Sequence, residues 1–244
     1  AAGCTVNGEM VQIPADVMKD AIHSAPSAFT VYDREGKPAM ELDTEHSYFG
    51  PPISTEFVRD PFTGEKRRGT RQDAYHAGLV CEALPNCHWA SAMSGVSDGH
   101  RALADVYEVH SLLMSTRKPL MYWAGSLENL KTEMAMFEAA AGSEEKLHDK
   151  PFAICLICPM DPLLHNDDSM EQIMYLAKKG APAVYISGVS LGCTGPITIA
   201  GSVVVGLADT LVGLLVSQLT CKGAPFIVSR FCDTMDMRNM TIQR

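Results

Sequence analysis

Runs of strand character begin near Trp89, Leu120, Phe152, Ala183 and Pro225, at roughly 30- to 40-residue intervals. Segments of helical periodicity separate them. That interval is the length of one strand–helix unit, and its repetition is the tightest constraint that the chain carries. Several runs, AICLIC and AVYIS among them, are apolar on both alternations, as expected when helices cover one face of a strand and a barrel interior the other. No G-x-G-x-x-G turn follows the first run, so a doubly wound nucleotide-binding sheet has no support. The expectation is an α/β chain forming a (β/α)8 TIM barrel, incomplete here because five units are fewer than eight.

Ahead of the repeat, Pro14–Pro26 reads as a short helix, and the AFTVYDREGKPAMELD stretch as a hairpin turning at Arg34–Lys37. His46–Thr70, with few periodic apolar residues, reads as a structured loop. The expected organisation is an N-terminal helix, hairpin and loop over residues 1–70, packed on barrel units over 71–244. Within the barrel, Ser126 is placed to cap a helix that Gly142 stops. The chain begins without Met and ends at TIQR without a closing element, and both ends read as cut.

A net charge of −9, with no basic stripe beyond Glu65–Arg71, excludes nucleic acid as a partner. The start AAGCTVNGE has neither the basic nor the apolar segment of an export signal. Eight scattered cysteines in a chain of 244 residues read as reduced thiols, which gives a cytoplasmic location.

Gly188–Gln218 is glycine-rich at its start and then apolar, with Asp209 its one ionisable side chain. Its length passes a membrane filter, but Asp209, three recurrent glycines and a preceding strand at barrel spacing favour a buried barrel helix over a membrane span. It lacks the lysine of a phosphate loop. A loose anion at the helix N-terminus remains open, with Thr194 read as the N-cap and Pro196 as a first-turn residue. Cys193 has no base nearby to make it a nucleophile. Cys155 and Cys158 lie three apart on a strand, so their sulfurs diverge and no metal site follows. His100 and His110, with Asp98 and Glu108, read as solvated helix residues.

In a barrel of this kind the active site lies where strands end. That selects Ser94–Asp98, Tyr122–Ser126, Cys158–Leu163, Ser187–Thr194 and Ser229–Asp233. Trp123 is a large aromatic at a strand's C-terminal end, and Asp161 is an acid held between Pro159 and Pro162. An aromatic with a carboxylate suits a cationic ammonium ligand; equally, Trp123 fills the barrel mouth. Ser187 and Asp233 join the candidate list by position, with Phe49 of the YFGPP stretch.

The segment GCTGPITIAGSVVVGLADTLVGLLVSQL, followed by GAPFIVSRFCDTMDMR, resembles the trimethylamine methyltransferase family. YFGPP, DPFTGEKRRGTRQDA and CPMDPL are similar to the family's pattern as well, so the likeness runs over nearly the whole chain. One departure is Asp209, where the pattern has a glutamate. The resemblance implies an enzyme that moves a methyl group from a methylated amine to the Co(I) of a corrinoid (cobalamin) carried by a separate cognate protein. No D-x-H-x-x-G corrinoid-ligating motif occurs in this chain, and no bound metal is expected. Gly192, Thr194 and Gly195 enter the substrate-binding list by motif match. One branch of the family uses pyrrolysine on trimethylamine, at a position that would lie beyond Arg244; the larger branch demethylates quaternary amines such as glycine betaine. The expectation is a betaine-type, homo-oligomeric enzyme away from membranes, the alternative being a non-catalytic cytoplasmic sensor of a quaternary ammonium compound.

Overall fold

A computed structural model describes residues 1–160, 162–239 and 241–243. In chain order the elements are β1 (Thr5–Asn7), β2 (Met10–Gln12), α1 (Ala15–Ser24), β3 (Phe29–Tyr32), β4 (Pro38–Leu42), β5 (Phe57–Arg59), β6 (Lys66–Arg68) and α2 (Arg71–Ala83). A single 3-10 turn, Arg101–Leu103, leads into α3 (Ala104–Ser115), β7 (Leu120–Trp123), α4 (Leu127–Ala141), α5 (Glu144–Asp149) and β8 (Ala153–Ile157). The chain continues through α6 (Asp167–Lys179), β9 (Ala183–Leu191), α7 (Ile199–Thr220), β10 (Phe226–Asp236) and β11 (Thr241–Gln243). It is a mixed α/β protein whose longer strands pair in parallel. It divides into two compact units: a middle unit, Ser27–Leu156, and a terminal unit made of Ala1–Pro26 with Ile157–Arg244.

In the middle unit β7 and β8 run parallel, with Leu120 opposite Ala153 and Tyr122 opposite Cys155. The intervening α4 starts where Ser126 accepts from the Asn129 amide and stops at Gly142, which takes the left-handed conformation that a side chain would strain. Leu130, Met134 and Phe137 of α4 are buried. The Phe137 ring meets Tyr122 edge-on at 4.8 Å and Phe152 at 5.7 Å. Truncating a fully buried phenylalanine of this kind costs about 3–5 kcal/mol, so this aromatic trio anchors the helix to the strands. Thr70 and Asp73 form a reciprocal capping box at the start of α2.

In the terminal unit β9 and β10 pair in parallel over nine residues, from Ala183 opposite Phe226 to Leu191 opposite Thr234. Asn166 caps α6, whose first turn holds Asp167 and Asp168 and whose last holds Lys178 and Lys179, complementing the helix dipole at both ends. α7 packs on both strands, and its inward face is largely polar or small: Ser202, Gly206, Asp209, Thr210, Gly213, Ser217 and Gln218 are all buried. By length and a mean hydropathy of 2.1, α7 qualifies as a membrane-crossing helix. Its outward face carries the exposed Val204 and Leu207.

Four expectations need correction. The run at His88–Met93 is not a strand; it makes one parallel bridge, Ala90 to Leu120, before a positive φ of 61° at Met93 turns the chain aside. His46–Thr70 is not all loop, because β5 and β6 form a hairpin, their charged three-residue strands giving no alternating signal. The barrel reading implies parallel strands throughout, whereas β11, which follows the last of the five runs, pairs antiparallel with β10. The N-cap of α7 is Thr198, which accepts from the Gly201 amide, so Thr194 and Pro196 lie outside the helix.

Candidate functional site

In the middle unit a site assembles around the half-buried Trp123 at the end of β7. Its indole Nε1–H points to two acceptors: Ser54 Oγ at 2.9 Å and Glu108 Oε2 at 3.1 Å. The Ser54 hydroxyl donates in turn to Glu108 Oε2. Glu108 sits on the inward face of α3, 3% exposed, and its Oε1 faces the Val96 amide at 3.4 Å. Three segments therefore converge on the carboxyl that α3 presents: the loop after β4, the Val96 segment and the end of β7. Ser54 holds this place with a φ of +28°, outside the regions that a serine normally adopts. Burial pushes the Glu108 pKa up to about 7 against the hydrogen bonds from Ser54, Trp123 and Val96, which favour the ion, while the charge of Asp105 adds to the rise.

Two further acids lie close by. Asp105, 2% exposed, accepts from the Gly125 amide at 2.5 Å and from Asn129 Nδ2 at 2.8 Å, tying the start of α3 to the turn after β7. Glu133 of α4 is fully buried, and among the described residues neither of its oxygens has a hydrogen-bond partner. Burial, and then the charges of Asp105 and Glu108, push the Glu133 pKa up to about 10, so at neutral pH it is an uncharged acid. The neighbouring Cys155 thiol is fully buried and held well above the ordinary thiol range by the same desolvation, which makes it an inert core group.

In the terminal unit, Ser187 on β9 is fully buried and its hydroxyl donates to Asp209 Oδ2 at 2.8 Å. His165, in the loop before α6, places Nε2 at 3.6 Å from Asp209 Oδ1, an electrostatic pairing rather than a hydrogen bond. Its Nδ1 lies 2.9 Å from the Tyr185 hydroxyl, and the two rings stack with centroids 6.0 Å apart. A carboxylate beside Nε2 favours the proton there, leaving Nδ1 to accept from Tyr185. A serine nucleophile would need to bond the imidazole. Ser187 bonds the carboxylate instead, so this group orders β9, α7 and the His165 loop rather than performing acyl transfer.

The GCTGP loop follows β9. The amides of Cys193, Thr194 and Gly195 all donate to the Ser190 carbonyl at 3.1 Å, and Thr194 Oγ1 accepts from the Ser190 amide at 2.9 Å. Gly192 has a φ of +75°, and a side chain at Gly195 would run into Val189. Gly192, Cys193 and Thr194 are exposed.

Of the residues selected from sequence, Trp123 and Ser187 lie in polar clusters, one in each unit. Gly192, Thr194 and Gly195 share the GCTGP turn. Phe49 is 68% exposed, its backbone paired with His88. Asp233 is half-buried on β10, opposite Ser190 in the register with β9. Asp161 lies outside the described residues. Glu108, expected to be solvated, is buried, and Ser54, Asp105, Glu133, His165 and Tyr185 were not selected at all. The acids carried a signal: Asp105 and Glu108 share the helical phase of Val109 and Leu112, and Glu133 that of Leu130, Met134 and Phe137. Among the described residues, one acidic grouping has metal-ligand spacing, Glu41, Asp43 and His46. The 2.9 Å pair of His46 with Asp43 accounts for part of it.

Residues 1–241 match the family model described as trimethylamine methyltransferase. The chain is 32% identical over 236 residues to the trimethylamine methyltransferase MttB of Desulfitobacterium hafniense strain DCB-2, covering 96% of this chain and 47% of that protein. It is 24% identical over 241 residues to the glycine betaine methyltransferase of Desulfitobacterium hafniense strain Y51, covering 97% and 50%. To the trimethylamine methyltransferase MttB of Methanosarcina barkeri it is 26% identical over 250 residues, covering 98% and 50%. The chain thus spans about half the length of the curated relatives it matches.

Proposed function

The chain belongs to the trimethylamine methyltransferase family, and from that premise we propose that the whole protein transfers a methyl group from a methylated amine to the Co(I) of a corrinoid borne by a separate protein. The substrate class is a quaternary amine, as the name of the glycine betaine relative suggests. The corrinoid is the co-substrate that supplies the nucleophile. A quaternary nitrogen leaves as a neutral amine once its methyl departs, so the transfer needs no general acid. What remains for the protein is to orient the methyl group, exclude water and hold a cation.

The observation that carries this reading is the Trp123 indole, pinned by its N–H to a buried carboxyl with its ring half-buried. An aromatic face beside acidic groups attracts an ammonium ion through the ring quadrupole and Coulomb's law together. The parallel pairs β7–β8 and β9–β10, with helices between successive strands, support a (β/α)8 barrel in the whole protein. To test the activity, the full-length protein is incubated with Co(I) cobalamin and a panel of methylated amines, and methylcobalamin is followed by its absorbance. Formation with a quaternary amine is the expected result. No methylcobalamin with any amine would reject the reading, and amine binding without transfer would establish a sensor instead.

A further inference from the structure

We propose that Glu108 is a positioning residue of the amine site: together with Ser54 it sets the Trp123 indole by its N–H, and when ionised it places a negative charge beside the ring. The amine site itself rests on the function proposed above.

The hydrogen-bond directions make the case. Three donors converge on Glu108: the Trp123 indole N–H, the Ser54 hydroxyl and the Val96 amide. An indole N–H cannot act as an acceptor, and neither can an amide N–H. A carboxylate accepts from all three. A carboxylic acid can carry its proton on Oε1, where the Val96 amide is 3.4 Å away, and leave Oε2 to accept from Trp123 and Ser54, so the indole stays held while the negative charge beside it is lost. Trp123 and Ser54 are the less buried side of the cluster, so the ring is the part of it that a ligand can meet. The strained φ of Ser54 fits a residue held in place for its hydroxyl.

The groups around Glu108 tilt the balance toward the acid near neutral pH. Asp105 on the same helix is an acid, as is Glu133 on α4, whose own titration feels Glu108. From α2, Arg71 stacks on Tyr107 of α3 at 5.2 Å, and Glu82 bonds Thr116 beyond the far end of that helix. Among the described residues, the largest influences on the Glu108 titration are burial, its three hydrogen-bond donors and the charge of Asp105. With its pKa at about 7, Glu108 changes charge within the working range of the protein.

The test reads the indole directly. This chain carries two tryptophans, Trp89 and Trp123, and a Trp123→Phe variant identifies the Trp123 emission by difference whatever the rest of the protein contributes. In the full-length protein that emission is expected to titrate with a midpoint near neutrality, and Glu108→Gln to abolish the transition. Ser54→Gly, which the positive φ tolerates, removes one donor to the carboxylate and is expected to move the midpoint upward. A flat wild-type titration, or the same transition in Glu108→Gln, overturns the proposal. In turnover, the apparent KM for the quaternary amine is expected to rise about tenfold from about pH 8 to about pH 6, as the ionised fraction falls, with kcat much less affected. Glu108→Gln is expected to flatten that KM profile, and a profile unchanged by the substitution counts against the proposal. An indole that titrates through Glu108 in a protein that neither binds nor demethylates any amine would overturn the amine site and leave the positioning geometry standing.

Discussion

Asp209 on α7 and Glu133 on α4 are both buried to 0% exposure, yet the two units treat their acids in opposite ways. Asp209 is met by the Ser187 hydroxyl on one oxygen and by the His165 imidazole beyond the other. Among the described residues Glu133 is met by no donor, and burial, reinforced by its acidic neighbours, drives it to the neutral form. A buried carboxyl survives folding either by acquiring donors or by keeping its proton. The first solution ties three chain segments together. The second stiffens nothing, but leaves the field near Trp123 to be set by Glu108 and Asp105. The difference teaches where each unit's order comes from: directed polar contacts at Asp209, and packing around a silent acid at Glu133.

The largest effect that would break this contrast is expected from Asp209→Ala. It strands a buried hydroxyl and an imidazole, and is expected to cost about 3–5 kcal/mol in urea unfolding of the full-length protein. A loss below about 1 kcal/mol would show that the Asp209 cluster is no more structural than Glu133. Gly213→Ala comes next. Its new methyl meets the fully buried Tyr185 ring, the partner of His165, and is expected to cost about 2 kcal/mol. Trp123→Ala is expected to raise KM about tenfold and to cost about 1–2 kcal/mol of stability, because the ring is only half-buried and its N–H is one of the donors to Glu108. An unchanged KM would remove its ligand role. The smallest effect is expected from Glu133→Gln, within about 1 kcal/mol at pH 7, where both side chains are neutral.

That last variant also sharpens the comparison through pH. The folded state holds the Glu133 proton up to about pH 10, whereas the unfolded chain releases it near the ordinary glutamate value of about 4.5. Between those limits the folded state binds one more proton, so this group's contribution to stability is full below about 4.5 and declines as pH rises toward 10. Glu133→Gln is expected to flatten that slope in thermal unfolding measured from about pH 7 to about pH 10. A slope identical to wild type would mean that Glu133 is not the group holding the proton.

Much of the framework was legible because it is local. Ser126 and Gly142 bound α4 as their chemistry requires, and the βα spacing located β7, β8, β9 and β10. The N-cap of α7 was placed one turn early because Thr194 and Thr198 both precede apolar residues; only the tertiary path shows Thr194 folding back on Ser190. The site was legible in part. Trp123 stood out by size at a strand end, but its partner Glu108 was read as solvated although it keeps phase with Val109 and Leu112. Ser54 gave no signal at all, since its backbone strain and its bond to a residue 54 positions away exist only in the folded chain.

The turn after β9 has a consequence for any zwitterionic substrate. A glycine-rich loop leading into a helix normally offers its amides to an anion. Here those of Cys193, Thr194 and Gly195 are folded back onto the carbonyl of Ser190. These three amides are therefore not offered outward, and the carboxylate of the proposed betaine substrate is expected to take its hydrogen bonds from other donors. Exchanging GCTGP between a betaine-type and a trimethylamine-type relative is therefore expected to leave substrate preference unchanged, and a shifted preference would assign the discrimination to the loop's exposed side chains.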